Sequence, residues 1–257
     1  MRDSGLDKAI RAAGGVSELA RRIGISQPSV STWDRVPVER VAAVEAATGI
    51  ERALLRPDLF SSTAATASDA TDNARAAEYA LLATLLARSP DANLLRRLSR
   101  LSGDATPLGV VHAELGAAAA RTNAKDVERE FFHLFIGVGR SALLPYASYY
   151  LTGFLHERPL ARLRGDLQRI GIETIEAQSE PEDHVAILCE IMSGLASGAY
   201  AVPSGTDRQV FEKHVAPWMR RFFEDLEGSK SVPFYARVGA LGRVFINIEA
   251  EAYALPS

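Results

Sequence analysis

The chain has 257 residues, 47% of them hydrophobic, with a formal net charge of −3 and a single cysteine. That length holds one large domain or two smaller ones with a sizeable core, and the charge balance excludes a global basic field of the kind that draws nucleic acid or acidic lipid. Cys189 alone excludes an internal disulfide and a thiolate zinc cluster, which fits a reducing compartment. No run approaches the roughly 18 apolar residues of a membrane span, and the first residues lack the apolar core of a signal peptide. The expected location is therefore cytoplasmic, without membrane insertion.

Leu6–Ala13 reads as a short amphipathic helix stopped by Gly14-Gly15. From Val16 to Trp33 the chain has the grammar of a helix-turn-helix. Ala20 is small where two helices cross, and Gly24 sits at the turn, where a positive φ is needed. Val30 and Trp33, at i and i+3, face back onto the first helix. Gln27, Ser29, Ser31 and Thr32 are left outward on the helix that would enter a major groove, and Arg21, Arg22 and Arg35 are placed to meet phosphates. This segment, through Leu55-Arg56-Pro57-Asp58-Leu59-Phe60, resembles the Cro-like and YdaS-like helix-turn-helix family. Over residues 1–60 nine Lys and Arg face eight Asp and Glu, a net +1. That is a weak field for DNA binding, whose affinity leans on phosphate neutralisation. A module kept for protein contacts stands beside the DNA-binding reading.

Residues 61–77 hold almost no large apolar side chain and cannot bury enough surface to offset ordering entropy. They are expected to form a flexible tether between domains 1–60 and 78–257, with helix resuming near Arg75. The second domain reads as helical throughout, with no convincing strand. Its stripes are Tyr79 to Leu86, Leu94 to Leu101, Leu108 to Ala120 and Val127 to Phe135. Further helices are expected over 148–170 with a break near Arg158-Pro159, over 207–226 and over 233–253. A Ser179-x-x-Glu182 capping box is expected to open another helix, with Val185, Leu188, Ile191, Met192 and Leu195 on its buried face. The fold class is all-α: a small helix-turn-helix domain tethered to an all-helical body.

Chemical signals are sparse. Glu130-x-x-His133 has the spacing of a carboxylate-bridged di-iron helix, but no second copy occurs, so no metal site is expected. Gly137-Val138-Gly139-Arg140 lacks the full Gly-rich pattern and a preceding strand, and reads as a helix end and tight turn. Cys189 lies among apolar residues, where a thiol is packing. His112, His156 and His214 stand alone. No catalytic grouping and no cofactor are implied. Tyr146, Tyr149 and Tyr150, beside Pro145 and Ser148, suit an exposed loop-to-helix entry that contacts a peptide, though some are expected in the core. Glu180, Glu182 and Asp183 read either as macrodipole stabilisation of a helix or as an acidic patch beside His184 for pairing with arginines. Spacing leaves both open.

Three separated words resemble the TorD/DmsD family of redox-enzyme maturation chaperones. They are Glu130-Phe131-x-x-Leu134-Phe135, Leu144-Pro145-Tyr146-Ala147-Ser148-Tyr149-Tyr150 and Glu180-Pro181-x-Asp183-His184. Phe211-x-x-His214-x-x-Pro217-Trp218 and Phe234-Tyr235 agree. The resemblance implies a helical, non-enzymatic chaperone. Its partner would be the apoprotein, or the twin-arginine signal peptide, of a molybdenum-cofactor oxidoreductase such as a formate dehydrogenase. It carries Asp183 and His184 over as binding residues, with Tyr146, Ser148 and Tyr149 beside them and Glu180 and Glu182 adding acidic charge. The helix-turn-helix departs from that pattern and raises an alternative: a DNA-binding regulator whose helical domain senses unassembled client. No oligomeric state follows from the sequence.

Overall fold

A computed structural model describes residues 3–137, 142–172, 180–229 and 231–255, apart from the side chains of Asp58 and residues 60–68. The chain divides into two compact units, Met1–Thr71 and Asp72–Ser257.

The first unit holds helices α1 (Ser4–Ala13), α2 (Val16–Arg22), α3 (Gln27–Ser31), α4 (Val41–Thr48) and α5 (Arg52–Leu55). Asp3 caps α1 and Gly14, at φ 92°, ends it. The turn between α2 and α3 carries Gly24 at φ 70°. Leu6, Leu19, Ala20, Val30, Val41, Val44 and Leu55 form one buried cluster, with Trp33 packed on its edge. The inward pair Val30 and Trp33 is thus placed as their spacing requires.

Helix α6 (Pro57–Ala87) runs without a break through the stretch read as a tether. The sequence argument weighed burial alone. Ala64, Ala65, Ala67 and Ala70 carry helix propensity that does not depend on burial, and the long apolar turn from Tyr79 onward extends the helix from a nucleus already formed.

The second unit continues with α7 (Ala92–Leu98), α8 (Pro107–Ala120), α9 (Ala124–Phe131), α10 (Ala147–Thr152), α11 (Arg158–Arg169), α12 (Val185–Ala196), α13 (Thr206–Val210), α14 (Met219–Glu227) and α15 (Pro233–Ala254). π-helical turns extend α9 over Phe132–Ile136 and α13 over Phe211–Val215. No strand occurs among the described residues, only an isolated bridge between Tyr146 and His184. Trp218, Tyr79, Tyr235, Phe211, Phe222, Phe223 and Phe234 are fully buried at its centre. Helices α14 and α15 cross closely at glycines. A Cβ on Gly239 would lie 2.3 Å from the Glu227 nitrogen, and one on Gly242 would lie 2.2 Å from the Phe223 ring.

One ionic cluster clasps α6 to α15. The Arg75 guanidinium donates to Glu249 at 2.8 and 3.0 Å, to Asp72 at 3.0 Å and to Asp207 at 3.3 Å. Tyr79 donates to Glu249 at 3.0 Å, and Tyr253 bridges Arg75 and Asp207. Glu249 is almost wholly buried, a position a carboxylate holds only when paired and hydrogen-bonded.

Candidate functional site

Two segments far apart in sequence meet at Tyr146 and His184. Both are extended, so they pair as a miniature antiparallel bridge. Ala147 donates its N–H to the Asp183 carbonyl at 3.0 Å, and Val185 donates to the Pro145 carbonyl at 2.8 Å. Helices α10 and α12 both begin at this joint, and each needs acceptors for its first amides. The Asp183–His184 pair supplies them. Asp183 Oδ2 accepts from Ser148 N at 2.8 Å, in the first turn of α10. His184 Nδ1 accepts from Ala186 N at 3.1 Å, in the first turn of α12. With Nδ1 an acceptor, the neutral ring carries its proton on Nε2. Burial pushes the His184 imidazole below its ordinary value, although Glu180 and Asp183 pull the other way. Its ring meets Tyr146 edge to face, with centroids 5.1 Å apart.

This geometry corrects several expectations. The capping box does not form: α12 starts at Val185 with His184 as its cap, and Ser179 lies outside the described residues. Glu182 therefore precedes the helix. It is buried and paired with Arg164 at 2.8 Å. Asp183 is 0% and His184 7% exposed, and Ser148 is also buried. An acidic patch open to solvent is not what these residues build. Only Glu180 is exposed, and it accepts from the Tyr146 hydroxyl at 2.5 Å. The sequence left a helix-stabilising role and an acidic patch both open. Here Asp183 is consumed satisfying a backbone amide, Glu182 by Arg164 and Glu180 by the Tyr146 hydroxyl.

What does face solvent lies along α10. A groove of about 1030 Å³ is lined by Ile136, Leu143, Leu144, Tyr149, Tyr150 and Leu151 together with Arg221 and Asp225. Ile136 is 58% and Tyr149 39% exposed. Just past the helix end at Gly153 (φ 83°), Phe154 is 69% exposed and Leu155 also open. Large apolar side chains gathered at a surface mark a contact site. The Tyr150 hydroxyl donates to Asp225 at 2.9 Å, and its ring packs on Trp218 and beneath Arg221. Burial and that bond to Asp225 raise the Tyr150 phenol, so it stays protonated. Sequence reasoning missed Ile136, Leu151, Phe154, Arg221 and Asp225. The apolar pair Phe154-Leu155 beside a glycine, and the Arg221/Asp225 pair at i and i+4, were the available signals. Residues 138–140 of the expected Gly-rich turn lie outside the described part.

A further cavity of about 330 Å³ beside α10 is lined by Ala147, Leu151, Leu163, Arg162, Asp183 and His214, among others. His214 does not stand alone: its Nε2 lies 2.8 Å from Asp166. Burial drives His214 down despite Asp166. Burial also pushes Asp166 up, but the His214 bond, Lys213 and Arg169 hold it below the usual carboxylate range. The pair rests as neutral imidazole and carboxylate. His112 likewise pairs with Glu78 at 2.8 Å.

The Glu130-x-x-His133 word resolves as structure. Glu130 accepts from Phe234 N and Tyr235 N, both at 3.1 Å, at the start of α15. Among the described residues no group of three or more His, Cys, Asp or Glu is placed to hold a metal ion. Cys189 is fully buried, and burial pushes its thiol well up, as expected of inert packing.

In the first unit Gln27, Ser29, Ser31, Thr32, Arg21 and Arg22 are all exposed. Gln27 donates to Ser31 Oγ at 2.9 Å, and Thr32 donates to the Ser29 carbonyl at 2.8 Å. Arg21 and Arg22 reach back to Glu18, at 3.0 and 3.2 Å.

The fold defines a class: a helical body preceded by a helix-turn-helix unit. Residues 102–224 match the family described as nitrate reductase delta subunit, and residues 6–64 match the family described as bacterial toxin YdaS. The Chaperone protein TorD of Shewanella loihica is 24% identical over 207 residues, covering 70% of this chain and 93% of its own. That of Vibrio cholerae is 26% identical over 130 residues, covering 47% of this chain and 59% of its own. A solved structure of a redox enzyme maturation protein from Archaeoglobus fulgidus aligns with TM-score 0.47 and 17% identity, over 68% of this chain and 93% of that one. The helical body is thus similar to TorD chaperones, and the N-terminal unit to the YdaS family. The curated relatives are named as chaperones, not as catalysts, in agreement with the expected non-enzymatic role.

Proposed function

We propose that this chain holds the apoprotein, or the twin-arginine signal peptide, of a molybdenum-cofactor oxidoreductase in the groove along α10. It would act in the cytoplasm, with a formate dehydrogenase as one such client. The observation that carries this reading is the set of exposed apolar side chains Ile136, Tyr149 and Leu151 lining one groove with Arg221 and Asp225, with Phe154 and Leu155 exposed just past the end of α10. An apolar leader segment buries against this set, and flanking charges find Asp225 and Glu180. The mechanism is binding and release, with no covalent step. Anisotropy of a labelled twin-arginine leader peptide tests it. Ile136→Asp places a charge in the apolar wall and should weaken binding about tenfold or more, with unchanged thermal unfolding. Equal affinity for wild type and variant would remove the groove from the account.

The exposure of all six polar side chains on α2 and α3 favours a second reading, a regulator that binds DNA through the first unit. It expects a salt-sensitive shift of promoter DNA that Gln27→Ala weakens. No shift at low salt would discard it.

A further inference from the structure

We infer, resting on the groove reading above, that Asp183 is a positioning residue: its carboxylate sets the groove wall through α10 and does not meet the client. Asp183 is 0% exposed, so a client cannot touch its carboxylate while the Tyr146–His184 joint is closed. The same residue takes both of the first amides of α10. Its carbonyl accepts Ala147 N at 3.0 Å, and Oδ2 accepts Ser148 N at 2.8 Å. Helix α10 has only six residues, far too few to persist on its own hydrogen bonds. Its other end is held by contacts of Tyr150, which donates to Asp225 and packs on Trp218. Tyr149, between these two anchors, Tyr150 itself and Leu151, next to it, are three of the groove's wall residues. Freeing the Ser148 amide releases the start of that wall.

Such a role needs an acceptor, not a charge. Asparagine caps a helix about as well as aspartate, whereas alanine does not. The second oxygen, Oδ1, is buried and makes no hydrogen bond, and the nearby Ser148 hydroxyl is also buried without a partner. An asparagine amide in the Oδ1 position therefore breaks no existing bond. A residue recognising client arginines by charge would fail equally with asparagine and alanine. Positioning and charge recognition thus differ in one variant.

The test compares wild type, Asp183→Asn and Asp183→Ala in the full chain. Leader-peptide anisotropy is one arm, and amide hydrogen exchange over residues 146–152 is the other. Positioning expects Asp183→Asn to bind within about twofold of wild type and Asp183→Ala to lose about tenfold. Exchange over 146–152 should speed up in Asp183→Ala alone, with α14 and α15 unchanged. Equal loss of binding in both variants overturns the inference, as does wild-type exchange in Asp183→Ala. If Asp183→Ala fails to fold, Asp183→Asn decides: retained binding supports positioning and lost binding overturns it. If wild type itself binds no leader, the groove reading falls, and the exchange arm alone judges positioning.

Discussion

Glu130 and Asp183 each cap a helix far from them in sequence, and they do so under different constraints. Glu130 closes the start of α15, a helix of 22 residues that runs through the core. Both its oxygens are used, by Phe234 N and Tyr235 N, and it stays half-buried. Asp183 closes the start of α10, a six-residue helix at a surface groove, with one oxygen used and the other unpartnered. Each sits in a word that invites a chemical reading, a metal ligand in one case and a client contact in the other. The difference lies in what the capped helix carries. Loss of the Glu130 cap should be felt throughout the fold, and loss of the Asp183 cap at the binding surface.

The strongest way to break this contrast is Glu130→Ala. It leaves two half-buried amides without an acceptor and should cost about 2–3 kcal/mol in urea unfolding, with leader affinity little changed in the folded fraction. A selective loss of affinity would reverse the assignment. Asp183→Ala should cost less, about 1–2 kcal/mol, since one short helix is released. A cost above that of Glu130→Ala would show α10 to be part of the core.

Smaller effects come from pH, and the two joints should respond with opposite sign. The folded His184 imidazole lies below its ordinary 6.5 because burial disfavours the charged form. Its contribution is present above about 6.5 and is lost as pH falls toward the folded value. Protonating Nδ1 also converts the acceptor for Ala186 N into a donor. His184→Asn keeps a cap without titrating and should flatten the fall in melting temperature between pH 7 and 5.5; an unchanged slope would place that fall elsewhere, His214 being the nearest candidate. The folded Glu130 carboxyl lies above its ordinary 4.5, through burial and Asp126. Its contribution is full below 4.5 and is lost as pH rises through the folded value. Glu130→Gln should remove that gentle decline, and a steeper one would contradict the burial argument.

Much of this was legible in the chain and some was not, for identifiable reasons. The helix-turn-helix was readable because Ala20, Gly24 and Val30 each answer a local demand of crossing, turn or core. The helical body was readable from its apolar stripes. The encounter of Tyr146 with His184 is non-local, and spacing within either word says nothing of it. Hence Asp183 and Ser148 looked exposed when each is occupied by the other's segment. The groove wall was missed for the same reason: Ile136, Leu151 and Arg221 belong to three separate helical segments. The continuous α6 was missed because burial was weighed and alanine's propensity was not.

The Arg75 clasp has a practical consequence for handling the protein. Tyr253 and the buried Glu249 are integral members of a partly buried charge cluster reaching back to Asp72 and Asp207. Trimming the final turn of α15 would remove Tyr253 and with it the bridge between Arg75 and Asp207, leaving Glu249, Asp72 and Asp207 to hold the guanidinium.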